Sequence, residues 1–282
     1  MTDDSFLGRM ARRSRERTLR ARAQESEATL RARAMATAHP PRLTLGEFGV
    51  IAELKLRSPA AGSLAEPGFD LGARLTAYAS GGAMAISILT EPDEFKGDLA
   101  HLQEAASILQ EHDTPVMRKD FLTEPYQILE ARAAGASGVL VIVTMLNDEE
   151  TEALLACARD CGLFVLLEAF DVGDLRRIAG LTGPWLAPEQ APVLCGVNCR
   201  DLKTLAVDFG RFRSLVEHLP AGLTAVAESG ILGIEEVHSV AQMGYQGALV
   251  GSALMRSRQP SQTVAELTET GTQRYEKRRS CS

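Results

Sequence analysis

Residues 138–170, GVLVIVTMLNDEETEALLACARDCGLFVLLEAF, spell out one complete strand–helix–strand unit. GVLVIV (138–143) is a continuous apolar run, the pattern of a strand covered on both faces. Asn147, followed three residues later by Glu150, makes a capping-box start and predicts a helix over 147–161. Gly162 then ends that helix, and LFVLLE (163–168) is a second buried strand. Glu168 appears just where that apolar run ends.

The same rhythm continues in both directions. Strands are predicted at 49–54, 84–88, 115–118, 138–143, 163–168, 193–198, 224–228 and 247–251. Helices are predicted at 70–80, 98–112, 125–135, 147–161, 171–180, 208–219, 233–244 and 260–270. Asp70, Asp171 and Asp208 stand where N-caps belong, and Gly81-Gly82, Gly135 and Gly244 mark returns to the sheet. Eight strands alternating with helices imply an α/β fold, closed as a (β/α)8 TIM barrel. The expected organisation is an Arg-rich N-terminal helical extension (1–45) ending at His39-Pro40-Pro41, a barrel (46–270) and a flexible C-terminal tail (271–282). The Pro-rich stretch 181–192 is expected as a surface insertion before the sixth strand.

Polar residues recur as the apolar runs end: Glu53, Lys55, Lys119, Glu168, Asn198, Glu228, Ser229, Gly251 and Ser252. A parallel barrel gathers its strand ends on one face, so these scattered positions converge on one pocket. Lysines there can bind a carboxylate, donate a proton or form a Schiff base. Carboxylates beside them shift pKa values in the way general acid–base chemistry needs. The competing interpretation is a structural salt-bridge layer, a poor way to gain stability when buried. Ser229, Gly230, Gly251 and Ser252 close the last two strands, where barrel loops often hold phosphate on backbone N–H groups; tight turns are the alternative.

Composition sets bounds on this. The chain has 282 residues and a net charge of −7, which disfavours nucleic acid as the main partner. Residues 1–47 nevertheless hold ten arginines against six acidic residues. That excess reads either as a basic nucleic-acid arm or as an amphipathic helix whose arginines are solvated or paired with Glu16, Glu25 and Glu27; the helix is favoured. No apolar stretch approaches the roughly 18 residues of a membrane helix, and the start lacks a signal-peptide core. The cytoplasm is the expected compartment. Five cysteines, an odd number, are expected as reduced thiols, and none lies near a histidine at zinc-site spacing.

The runs IAELKLRSP (51–59), MRKDF (117–121), YQILEARAAGA (126–136), GVNCRDLKTL (196–205), AESGI (227–231) and LVGSALM (249–255) together resemble the indole-3-glycerol phosphate synthase family of tryptophan biosynthesis. The resemblance covers residues 45–257, with a helical extension before them. It implies conversion of 1-(2-carboxyphenylamino)-1-deoxyribulose 5-phosphate to indole-3-glycerol phosphate with loss of carbon dioxide and water. It also implies that no metal or organic cofactor takes part. The resemblance assigns Lys119 as proton donor to the ketone and Glu168 as acid/base in dehydration. Lys55 would lie beside the substrate carboxylate, with proton donation in dehydration as a second role left open between the two lysines, and Glu53 would orient Lys119 and the substrate. Asn198 and Glu228 would hydrogen-bond the substrate, with Arg200 beside them. Phe95, Phe121 and Leu140 would wall the aromatic pocket, and Ser58, Ser229, Gly230, Gly251 and Ser252 would hold the phosphate. The partner implied is this small-molecule substrate alone, on a monomer or weak homodimer, with no membrane.

The sequence departs from the family pattern in three places. Ala60 and Ala61 stand in a loop that usually reads SPS-K-G, Cys199 stands for a usual Asn, and VLLEAFD (165–171) differs from the common VEVH form. Other readings of the same residues are a Schiff-base aldolase, a sugar-phosphate isomerase, or a non-enzymatic phosphate-binding regulator.

Overall fold

The structure, a computed structural model, describes residues 5–59, 62–65, 68–183, 192–201, 204 and 206–280. Eight parallel strands follow one another round a closed barrel: β1 (Gly49–Leu54), β2 (Ala85–Leu89), β3 (Val116–Lys119), β4 (Gly138–Ile142), β5 (Phe164–Ala169), β6 (Val193–Asn198), β7 (Thr224–Glu228) and β8 (Gly247–Val250). β8 pairs back onto β1, with Ile51 opposite Leu249 on one side and Ala85 on the other. Each strand lies within one residue of its predicted bounds, because buried parallel strands are near-continuous apolar runs in sequence.

Side chains two apart on a strand point the same way. Ile51, Met117, Leu166 and Val226 therefore share the direction of Glu53, Lys119, Glu168 and Glu228, and all four are fully buried. The barrel is thus packed with apolar side chains up to a polar layer at the strand ends.

The caps form as expected. Asn147 and Glu150 exchange hydrogen bonds of 2.8 and 2.9 Å at the start of helix Asp148–Asp160. Asp70 accepts from Ala73 N and Asp171 from Asp174 N, each at 2.9 Å. Asp208 differs: it accepts from Gly210 N at 3.0 Å, but the helix Gly210–Leu215 is capped one residue later and gives way to a 3-10 turn, Val216–His218.

The last helix also departs from expectation. It runs Pro260–Ser280, so residues 271–280 continue a helix where a tail was expected. Gly271, inside that helix, lies against the Phe48 ring, where a Cβ would collide. Close helix packing, not termination, is the use of that glycine.

The N-terminal segment forms α1 (Phe6–Gln24) and α2 (Glu27–Ala36), begun by Ser5 and Ser26. Arg33 binds Glu25 at 2.7 Å and Arg22 binds Glu27 at 3.2 Å, as the amphipathic reading expects. Other arginines cross to the barrel: Arg13 to Glu94, Arg15 to Glu150, Arg17 to Asp120 and Arg22 to Glu124. Among the described residues no helix is long and apolar enough to cross a membrane. Cys157, Cys161, Cys195 and Cys199 are free and buried. Cys281, Ala60, Ala61 and residues 184–191 of the expected insertion lie outside the described residues.

Candidate active site

Two ion-paired groups meet at the strand ends. Glu53 and Lys55, at and just past the end of β1, form a 2.6 Å pair. Across the barrel, the Lys119 ammonium lies 3.4 Å from Glu228 Oε2 and 3.5 Å from Glu168 Oε2. Asn198 Nδ2 donates to Glu168 Oε1 at 2.6 Å and so fixes that carboxylate from β6. Arg200 N donates to Asn198 Oδ1 at 3.0 Å, which orients the amide in turn. Glu53, expected to orient Lys119 and the substrate, pairs directly with Lys55, while Glu168 and Glu228 lie against the Lys119 ammonium. Lys55, one residue past the end of β1, folds back onto Glu53, whereas Lys119, the last residue of β3, reaches across the barrel mouth to Glu168 on β5 and Glu228 on β7.

These carboxylates are almost sealed from water: the Glu53, Glu168 and Glu228 side chains are 4%, 3% and 1% exposed. Burial pushes the Glu228 carboxyl up, the nearby Glu168 charge adds to this, and Lys119 only partly offsets them, leaving it at about 8. Burial works against the Lys119 charge, but Glu168, Glu228 and Glu53 outweigh it and hold the lysine as an ammonium above its ordinary range. Burial would likewise raise Glu53, yet the Lys55 and Lys119 cations hold it below the usual carboxylate range. Three carboxylates thus share two ammonium groups, and the proton left over at neutral pH rests on Glu228. Glu168 Oε2 and Glu228 Oε1 are buried without a hydrogen-bond partner, so each retains acceptor capacity.

The remaining predicted residues sit around this layer. Phe121 follows Lys119 closely, and its ring centroid lies 6.2 Å from that of Phe95 and 5.9 Å from that of Phe6 on α1. Leu140 is in register with Leu166 and so faces the barrel interior below Glu168. Ser58 lies in a short antiparallel pairing, Arg57–Ser58 with Gly62–Ser63, three residues beyond Lys55. Ser229 and Gly230 have consecutive positive φ values of 68° and 69°. Successive backbone N–H groups in such a turn make a concavity for an anion. Gly251 precedes the short helix Ser252–Arg256, and a Cβ on it would strike the Glu53 carboxylate and the Lys55 ammonium.

Sequence reasoning missed three features of the site. A Cβ at Gly196 would run into Glu228 Oε1, so this glycine makes room for the protonated carboxyl. A glycine inside a strand was the available signal. Asp120, within MRKDF, receives Arg17 at 2.6 Å, Arg118 at 3.2 Å and the Thr90 hydroxyl at 2.8 Å. It anchors the end of β3, and with it Lys119 and Phe121, to the N-terminal helix. Glu91 caps the short helix Pro92–Phe95, accepting from Glu94 N at 2.7 Å, and so places Phe95. Local spacing could not show that Gly196 meets Glu228 or that Asp120 meets Arg17, because those partners come from distant elements, whereas the Glu91 cap is local and was readable in the run Glu91-Pro92.

The family model described as indole-3-glycerol phosphate synthase matches residues 9–267. A protein of that name from Nocardioides sp. (strain ATCC BAA-499 / JS614) is 41% identical over 248 residues, covering 86% of this chain and 90% of the relative. Another from Parafrankia sp. (strain EAN1pec) is 38% identical over 270 residues, 95% of this chain and 94% of the relative. Among solved structures, 3-hexulose-6-phosphate synthase from Salmonella typhimurium superposes with a TM-score of 0.61 at 12% identity, over 80% of this chain and all of that one. At that identity the likeness speaks to the barrel alone.

Proposed function

The chain belongs to the indole-3-glycerol phosphate synthase family, and we propose that the Lys–Glu layer at its barrel mouth carries out that family's ring closure. The substrate is 1-(2-carboxyphenylamino)-1-deoxyribulose 5-phosphate. The ring carbon bearing the carboxylate attacks the ketone carbon, and the ketone oxygen takes a proton to become a hydroxyl. The carboxylate then leaves as carbon dioxide, returning its electron pair to the ring. Finally the hydroxyl departs as water, with loss of a proton, to give the indole.

Each demand has a matching group. The ketone oxygen needs a donor, and Lys119, held as an ammonium between Glu168 and Glu228, supplies the proton. The departing hydroxyl needs an acid and the last proton a base, roles for Glu168, whose orientation Asn198 fixes. Lys55, tethered by Glu53, pairs with the substrate carboxylate until it leaves. Glu228, protonated near neutrality, donates to a substrate hydroxyl without adding a repelling charge. Phe95, Phe121 and Leu140 pack the aromatic ring. Ser58, the Ser229–Gly230 turn, Gly251 and Ser252 hold the phosphate, anchoring the chain for closure. Arg200 steadies Asn198.

The observation that carries this proposal is the Lys119 ammonium seated between Glu168 and Glu228. It also speaks against a Schiff-base aldolase, since an ammonium is not a nucleophile. A biosynthetic enzyme of this kind belongs in the cytoplasm, working as a monomer or weak homodimer. The test is to supply the substrate and follow indole fluorescence and carbon dioxide release, with a parallel borohydride arm. Indole and carbon dioxide in equal amounts, with no lysine adduct, are expected. A trapped lysine adduct, or turnover without carbon dioxide, overturns the proposal.

A further inference from the structure

We propose that Arg74 is a positioning residue for phosphate binding, one that holds the short helix Ser252–Arg256 by its C-terminal carbonyls. This rests on the reading of Gly251 and Ser252 as phosphate ligands. That helix has five residues, too few to be stable alone, because helix nucleation is costly and its last carbonyls lack intrahelical partners. Arg74, from helix Leu71–Ser80, donates through Nη1 to Leu254 O at 2.6 Å and to Ser257 O at 3.2 Å. Its positive charge therefore sits at the negative end of the helix that carries Ser252 at its other end.

Arg74 is itself held in place. Its guanidinium lies 5.7 Å from the Phe69 ring centroid and 6.0 Å from that of Tyr78. Tyr78 is fully buried, and its hydroxyl donates to Met255 Sδ at 3.6 Å, inside the same short helix. Phe69 belongs to the loop that follows β1, the loop that also carries Lys55 and Ser58. One side chain thus joins the loop after β1 to the helix after β8, two segments assigned to the phosphate. At their junction Gly251 already packs against Glu53 and Lys55. Fixing this seat improves phosphate affinity and leaves the proton transfers at Lys119 and Glu168 alone. The signature is therefore a change in KM with kcat retained.

The experiment measures KM, kcat and competitive inhibition by inorganic phosphate for the wild type, Arg74→Met, Arg74→Lys and Ser252→Asp, with thermal unfolding of each. Arg74→Met is expected to raise both KM and the phosphate inhibition constant about tenfold, the worth of one charge-assisted hydrogen bond. Its kcat stays within about twofold of wild type. Arg74→Lys recovers part of the affinity, since an ammonium can still reach one carbonyl. Should Arg74→Met not fold, Arg74→Lys alone shows the intermediate loss. Both Arg74 variants keeping wild-type KM and phosphate inhibition, even with a lowered Tm, would overturn the proposal while a weakened Ser252→Asp upheld the phosphate site. Wild-type behaviour of Ser252→Asp as well would remove the phosphate reading and this proposal with it.

Discussion

Replacing Lys119 by methionine keeps an unbranched apolar stem of nearly the same length and deletes the ammonium. In the native protein that charge lies 3.4 Å from Glu228 and 3.5 Å from Glu168, both nearly sealed from solvent. At an effective dielectric of about 20, the Lys119–Glu168 ion pair is worth roughly 5 kcal/mol of attraction before desolvation is subtracted. Glu228, already at about 8, keeps its proton in the variant, so the main loss is the Lys119–Glu168 pair. Breaking a buried pair from one side costs about 3–5 kcal/mol of stability. The catalytic loss is larger in consequence: without its proton donor, kcat falls by about 10²- to 10⁴-fold. The assay is indole fluorescence from the carboxyphenylamino-deoxyribulose phosphate, with urea unfolding followed by circular dichroism on the same sample. A folded Lys119→Met protein with kcat within about tenfold of wild type would refute the assignment of Lys119 as the acid.

Three further outcomes follow from the same geometry. The Glu228 carboxyl is raised from 4.5 to about 8, so across that interval the native state holds a proton the unfolded chain has released. Stability should therefore fall as pH rises from 5 to 8, by at most about 1.4 kcal/mol per pH unit, and Glu228→Gln should flatten the slope. The raised Lys119 and lowered Glu53 act outside this interval, losing their contributions at high and low pH respectively; urea midpoints at pH 5, 7 and 9 with an unchanged slope in the variant would contradict the account. Gly196→Ala should push the Glu228 carboxyl out of place and cost about 1–3 kcal/mol by overpacking, read as a lower urea midpoint and a lower kcat; wild-type values of both would show that the room made by Gly196 is unused. Asp120→Asn should weaken the Arg17 and Arg118 pairs and destabilise the protein by about 3–5 kcal/mol. Phe121 sits beside the lost charge, so KM should rise in this variant too, and unchanged kinetics would confine Asp120 to a structural role.

The eight strands, the reciprocal Asn147–Glu150 cap and the alternation that places Glu53, Lys119, Glu168 and Glu228 at strand ends were legible in the chain itself. Apolar runs, caps and terminal glycines act over a few residues, and eight parallel strands with covering helices have one usual closure. The membership of the polar layer was legible for the same reason, since strand ends share a face once the barrel closes. Which lysine meets which carboxylate was not, because it depends on the stagger between strands and on side-chain reach. That is why Glu53 holds Lys55, while Lys119 reaches across to Glu168 and Glu228. The space opened by Gly196, the anchoring of Asp120 by Arg17 and the seating of Gly271 against Phe48 belong to the same class. Each joins residues far apart in sequence, and only packing in three dimensions could select those partners.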